Sequence, residues 1–296
     1  MSDGSHHERM RRAIIALDGL SVGDAFGECF FAIGTDPYAW QQHLANREPP
    51  DGRWRYTDDT EMALAILEVL ERHQQVDQDD LAETFARRYA RDDRRGYGGM
   101  AHKILMELGA GRPWQTVSSA VFDGTGSLGN GGAMRVAPLG AYFADDLPTL
   151  IEQARLSAQV THWHPEGQAG AIAVAVAAGF AWQHAGETDL GVAMLRQVVE
   201  RTPAGAVRDG LERALKFPFT AVPESAAYVL GNGSRVTAPD TVPFAIWCAA
   251  LHPTSYLDAM WTAVSVGGDI DTNCAIVSFG LGLPLPIPRP NAIFRA

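Results

Sequence analysis

Apolar residues recur along most of this chain at spacings of three and four, the period of an amphipathic helix. In 59–70, Met62, Ile66, Val69 and Leu70 form one stripe, and Leu81, Phe85 and Tyr89 repeat the pattern in 81–89. The same period predicts helices over 100–108, 114–122, 150–160, 168–183, 192–201, 207–215, 243–251 and 256–264. Residues 18–30 read as a further helix, interrupted by Gly23 and Gly27. Alanine is abundant in these segments and favours both helix formation and close helix–helix approach. Short extended pieces such as 234–237 are too isolated to found a sheet. Glycine and proline mark the joints at 96–99, 124–132, 231–233 and 267–268, and in the tail 284–290. With no fixed-period repeat and no low-complexity linker, the pattern predicts one all-α domain over 1–296. Its glycine-rich loops are where a site is sought.

Composition narrows the function classes. Hydrophobic residues make up 46% and charged residues 20% of the 296, which excludes intrinsic disorder. The net charge of −11 gives no general affinity for phosphate backbones or anionic lipid, so neither nucleic acid nor membrane is expected as a partner. Lys103 and Lys216 are the only lysines, and neither sits in a GK[ST] run, which removes P-loop chemistry. Cys29, Cys248 and Cys274 form neither a disulfide framework nor a CxxC metal site, as expected of a reduced, cytoplasmic protein. The first twelve residues lack an apolar h-region, which argues against secretion. The most apolar stretch, 169–182, falls short of the ~20 residues of a membrane span and reads as a buried core helix.

Four motifs carry chemistry. Tyr56-Thr57-Asp58-Asp59-Thr60-Glu61 opens a helix, and two readings fit it. One is helix capping, with Asp58 and Glu61 resembling a capping box. The other is a set of hard oxygen ligands for Mg²⁺, Mn²⁺ or Ca²⁺. In Gly267-Gly268-Asp269-Ile270-Asp271-Thr272-Asn273, alternate acids can reach one ion together, or the turn can cap the next helix. An EF-hand fails, because Cys274 and Gly280 stand where Gly and Glu are required. A metal shared by both acidic clusters explains them jointly. Residues 124–129 fit G-x-G-x-x-G, but no strand precedes them, so a Rossmann reading fails. What remains is a loop whose amides can turn toward an anion such as a diphosphate, or a plain flexible loop. Thr161-His162-Trp163-His164 joins two helices without an H-E-x-x-H or cysteine partner, and no G-x-S-x-G elbow supplies a serine nucleophile.

Five motifs in this order resemble the ADP-ribosylglycohydrolase family. They are Gly19…Val22-Gly23-Asp24-Ala25-Phe26-Gly27-Glu28, Thr57-Asp58-Asp59-Thr60, Gly126…Gly129-Asn130-Gly131-Gly132-Ala133-Met134-Arg135, Thr161-His162 and Gly268-Asp269-Ile270-Asp271-Thr272. The resemblance implies a compact orthogonal bundle of helices, acting as a monomer, with two Mg²⁺ or Mn²⁺ ions. It implies metal ligands at Thr57, Asp58, Asp59, Asp269, Asp271 and Thr272. Substrate contacts fall on Gly98, Phe122, Gly126, Ser127, Leu128, Gly129, Asn130, Gly131, Gly132, Met134 and His162. Phe122 takes the place of an adenine-stacking aromatic, while Leu128 stands where the serine-directed branch carries a second one. Glu28 and Asp58 are the implied acid–base residues, although that branch places its glutamate a few residues further beyond the Gly-Asp pair.

The implied substrate is ADP-ribose linked to a protein side chain or a small molecule, cleaved at the distal ribose through an oxocarbenium-like state. Two alternatives stand beside it: hydrolysis of another nucleoside or nucleotide conjugate, and a non-catalytic ADP-ribose-binding or crystallin-like role.

Overall fold

A computed structural model of the chain describes residues 2–34, 36–188 and 190–278. Its α-helices are α1 (Ser2–Phe31), α2 (Pro37–Asn46), α3 (Asp58–His73), α4 (Gln78–Arg91), α5 (Gly99–Gly109), α6 (Trp114–Gly124), α7 (Ala137–Tyr142) and α8 (Leu147–Gln159). They continue with α9 (Pro165–Gln183), α10 (Gly191–Arg201), α11 (Ala206–Lys216), α12 (Pro223–Leu230), α13 (Ala238–Leu251), α14 (Tyr256–Val264) and α15 (Ile270–Val277). A single 3₁₀ turn spans Asn130–Gly132. Among the described residues there is no strand, only an isolated bridge between Gly129 and Thr237. The all-α expectation holds. The proline-rich run 284–290 lies outside the described residues.

The core forms around α9, whose Ala, Val and Gly side chains are apolar on every face, as a fully enclosed helix requires. The segment read as a buried core helix is one: 171–178 are all buried, with α7, α8, α10 and α13 packed around them. No helix among the described residues is long and apolar enough to cross a membrane. On α3 the stripe Met62, Ile66, Val69 and Leu70 faces inward as its spacing predicts. Short helices escaped the periodicity: α2 buries no residue, α7 has six residues and α12 has eight. The helix expected at 243–251 begins earlier, at Ala238, with Pro243 inside it rather than at its start.

The reading of 18–30 as an interrupted helix needs correction. Helix α1 runs unbroken from Ser2 to Phe31. Gly23 and Gly27 are there because α15 comes too close for a side chain. A Cβ on Gly23 would lie 2.3 Å from the Cys274 carbonyl oxygen, and one on Gly27 would lie 2.6 Å from Asp271 Cα. Each glycine costs about 1 kcal/mol of helix propensity, so a solvent-facing Gly27 would gain stability on replacement by alanine. Here the expected result is the opposite. Gly27→Ala should lower stability by roughly 1–3 kcal/mol through overpacking, read as an earlier urea midpoint, and should displace the start of α15, where Asp271 sits. A stabilised variant would contradict the close approach.

Candidate active site

Three helices bring acids to one place. Asp24 lies in the middle of α1, Asp58 and Asp59 begin α3, and Asp269 and Asp271 stand at the start of α15. Asp24, Asp59 and Asp271 each offer an oxygen within 4.8 Å of the others.

Asp24 is fully buried and accepts from four donors at the α3 N-terminus: the amides of Thr57 and Thr60 and both their hydroxyls. An acid there satisfies orphan amides of the helix start and fixes α3 against α1. Thr57 caps α3, and its one hydroxyl proton is shared between Asp24 at 2.9 Å and Asp59 at 3.0 Å. Capping and clustering are therefore one arrangement, and the two readings of this motif do not compete.

The cluster is electrostatically unsatisfied. Burial raises Asp24 to about 6 against the hydrogen bonds that lower it. Burial and then the Asp24 charge raise Asp58 to about 7. Asp59 and Asp271 are pushed well above the ordinary carboxylate range, by burial first and then by neighbouring carboxylates. Asp269 is also raised by burial, against hydrogen bonds from Asn130, Asp271 and Thr272. Asp59 Oδ1 and Asp271 Oδ1 are buried without a hydrogen-bond partner among the described residues. Like charges, low dielectric and unpartnered hard oxygens together fit a divalent cation.

The acids floor a cavity of ~860 Å³. Asp58, Asp59, Asp269, Asp271 and Thr272 line it, with Gly98, Phe122, Gly126, Ser127, Leu128, Gly129, Asn130, Gly131, Met134 and His162. Three of the residues singled out from the sequence do not line it. Thr57 is buried as the cap of α3, with its hydroxyl against Asp24 and Asp59. Gly132 is buried, with its Cβ direction 3.4 Å from Ala158 and Gly167. Glu28 is half-buried one turn beyond Asp24, and burial and then the Asp24 charge raise its pKa while Arg55 opposes them. It is the only acid between Asp24 and Asp36.

The glycine-rich loop makes one long wall. The amides of Ser127, Leu128 and Gly131 find no acceptor among the described residues, whereas Gly129 N–H is taken by Ser127 Oγ at 3.1 Å. The Asn130 side chain is not an anion donor: it donates to Asp269 at 2.6 Å and to Thr241 at 3.0 Å, tying the loop to the acids. A Cβ on Gly131 would meet the His162 ring at 2.8 Å, so this glycine makes room for the histidine. Behind it, buried Arg135 donates to Thr161 Oγ1 at 2.9 Å, and Thr161 meets His162 Nδ1 at 2.8 Å. Burial and the Arg135 charge lower His162 to about 3, so it is a neutral hydrogen-bonding group. Phe122 projects from a left-handed turn, φ 51°, with Asp123 at φ 54°. This backbone is costly for non-glycine residues and is found at sites that use the projected side chain.

Asp24 stands in the Gly19–Glu28 motif without a role assigned from sequence, and the available signal is a lone acid between Gly23 and Ala25 in an apolar segment. Arg135 and the wall segment Arg235-Val236-Thr237 were likewise unassigned; nothing local in the sequence joins 235–237 to the loop at 128–130.

The fold and site define an all-α protein with a carboxylate-floored cleft under an amide-bearing loop. This chain belongs to the ADP-ribosylglycohydrolase family, whose model matches residues 5–283. It is similar to ADP-ribosylhydrolase ARH3 of Xenopus tropicalis, 33% identical with 89% of this chain and 85% of that one covered. The human ARH3 is 30% identical, with 86% and 80% covered. The ADP-ribosyl-[dinitrogen reductase] glycohydrolase of Rhodospirillum rubrum is 30% identical over 58% of this chain and 57% of that one. A solved structure titled ADP-ribosylglycohydrolase-related protein complex superposes with TM-score 0.65 at 27% identity, covering 93% of this chain and 88% of that one.

Proposed function

We propose that this protein is a divalent-metal-dependent hydrolase that cleaves the glycosidic bond between ADP-ribose and an acceptor. The observation that carries the reading is the cluster of buried carboxylates, with unpartnered oxygens on Asp59 and Asp271, flooring the same cavity that the free loop amides enclose. The names of the relatives, which describe ADP-ribosyl hydrolases, support it.

Asp24, Asp58, Asp59, Asp269 and Asp271, with the hydroxyls of Thr57 and Thr272, are the residues that would hold two Mg²⁺ or Mn²⁺ ions. When bound, such ions supply Lewis acidity and a water acidic enough to attack near neutral pH. The chain's own residues do the rest. The amides of Ser127, Leu128 and Gly131 bind a diphosphate. Neutral His162 adds a hydrogen bond without a charge that would compete with the metals. Met62, Ile104, Leu105 and Met134 make an apolar wall that excludes water and strengthens every polar contact inside. Phe122 offers an exposed ring face for a nucleobase. Asp58, on the cavity floor, is assigned to exchange a proton with the leaving group directly, and Glu28, which does not line the cavity, to exchange one through a water.

The test is turnover on arginine-, serine- and acetyl-linked ADP-ribose side by side, with and without Mg²⁺ or Mn²⁺. Metal-dependent release of ADP-ribose from at least one linkage is expected, and none from any would sink the reading. Glu28→Gln should keep ADP-ribose affinity and lose about 10²-fold or more in turnover. Full activity in that variant would leave the proton transfer to Asp58.

A further inference from the structure

The cavity holds one arginine or lysine among its described lining residues, Arg235, and four carboxylates, Asp58, Asp59, Asp269 and Asp271. Arg235 is not a loosely held surface cation. Its Nε pairs with Asp240 Oδ1 at 3.2 Å and its amide donates to Asp240 Oδ2 at 2.9 Å, and the Asp240 side chain is only 4% exposed. The two terminal guanidinium nitrogens, in contrast, have no partner among the described residues, and the Arg235 side chain is 80% exposed. A buried acid thus fixes the base of the guanidinium and leaves its fork open.

The backbone that presents this fork is built for the purpose. Val236 is β-branched yet has φ 55°, an outlier for such a residue. The next residues are zipped to the glycine-rich loop: Asn130 N–H donates to the Val236 carbonyl at 3.3 Å and Ala238 N–H to the Leu128 carbonyl at 2.9 Å. The strained turn therefore sets Arg235 beside the wall whose free amides belong to Ser127, Leu128 and Gly131. Those amides are neutral, and a dianion entering a chain of net charge −11 above four carboxylates gains from a fixed cation. An open arginine fork matches phosphate oxygens in pairs.

We propose that Arg235 is a substrate-specificity residue that grips the diphosphate of an ADP-ribosyl group beside the glycine-rich loop. This rests on the reading of the site as one for ADP-ribose. The competing view is that Arg235 only neutralises Asp240.

Calorimetric titration of ADP-ribose and of adenosine, with Mg²⁺ present, into wild type, Arg235→Gln and Arg235→Lys separates these possibilities. The Gln variant should bind ADP-ribose roughly tenfold more weakly and adenosine as wild type does. The salt dependence of ADP-ribose binding should also become shallower. Lysine should restore part of the affinity, because it returns the charge without the fork. The melting temperature of the Gln variant should stay near wild type, since the arginine side of the Asp240 pair is exposed. Equal ADP-ribose affinity in Gln variant and wild type would overturn the proposal and leave the functional reading standing. So would an equal loss for both ligands. Failure of the wild type to bind ADP-ribose at all would instead overturn the functional reading.

Discussion

Asp59→Asn is expected to raise the melting temperature of the metal-free protein while abolishing the further rise that Mg²⁺ or Mn²⁺ gives the wild type. The two effects have one cause. Asp59 is 1% exposed, and its carboxyl is held well above its ordinary pKa by burial and by Asp24, Asp271, Asp58 and Asp269. Each of these destabilises the ionised form in the folded state and not in the unfolded one. An asparagine keeps the shape, and its carbonyl can still accept from Thr57 Oγ1, which donates to Asp59 in the wild type. The negative charge is removed, and an NH₂ takes the place of the unpartnered Oδ1. Without it, the hard-oxygen set loses a member at its centre, where the oxygens of Asp24 and Asp271 lie within 4.8 Å.

A metal that binds only the folded state stabilises by RT ln(1 + [L]/Kd), about 2.7 kcal/mol at a hundredfold excess over Kd. That stabilisation should vanish in the variant, and turnover should fall by about hundredfold or more. Melting curves at pH 8 with and without MgCl₂ or MnCl₂ measure the first effect, and release of ADP-ribose measures the second. A variant that keeps its metal-dependent rise would remove Asp59 from any ligand set.

What the sequence made legible follows the range of each physical signal. Helix periodicity is local, so the long amphipathic segments such as α3 and α4 were readable, and an apolar helix such as α9 was readable from composition alone. Helix α2 has no buried face and α7 is too short to repeat, so neither left a period to find. Gly23 and Gly27 were visible but their meaning was not. Glycine in a helix marks either a break or a close neighbour, and the neighbour here, α15, is about 250 residues away in sequence.

The same limit governs the site. Thr57, Asp58 and Asp59, and Asp269, Asp271 and Thr272, stand out because acids cluster within each motif. Asp24 is a single acid in a long helix and gains significance only from the two hydroxyls and two amides of α3 that close on it. Asn130 looked like part of an anion loop, and the structure turns its side chain to Asp269. Arg235 was indistinguishable from the other arginines until its neighbours across the cavity were known.

The metal-free protein should lose stability between pH 6.5 and 8, and divalent metal should flatten that dependence. Below pH 6.5 two opposing terms overlap, so the window matters. His162 has its pKa depressed from 6.5 to about 3, so folding is penalised where the unfolded histidine is protonated. At pH 6.5 the unfolded histidine is still half protonated, so roughly 0.4 kcal/mol of that penalty remains and is relieved by pH 8, a small gain set against the larger loss from the acids. The buried acids act with the opposite sign. Asp58 is raised from 3.8 to about 7, so through this window the folded protein binds more protons than the unfolded chain, and stability falls as they are lost.

Asp58 alone gives roughly 1 kcal/mol of loss from pH 6.5 to 8, and Asp59 and Asp271, raised further by the same causes, act in the same direction. A melting temperature lower at pH 8 by several degrees is the expected reading in chelator-treated protein. Saturating Mg²⁺ or Mn²⁺ favours the ionised carboxylates, so the melting temperature should then be nearly level across the window, and Asp59→Asn should show a shallower fall than wild type without metal. A chelated wild type that is equally stable at pH 6.5 and 8, or that gains stability, would mean that the five acids do not share one buried field.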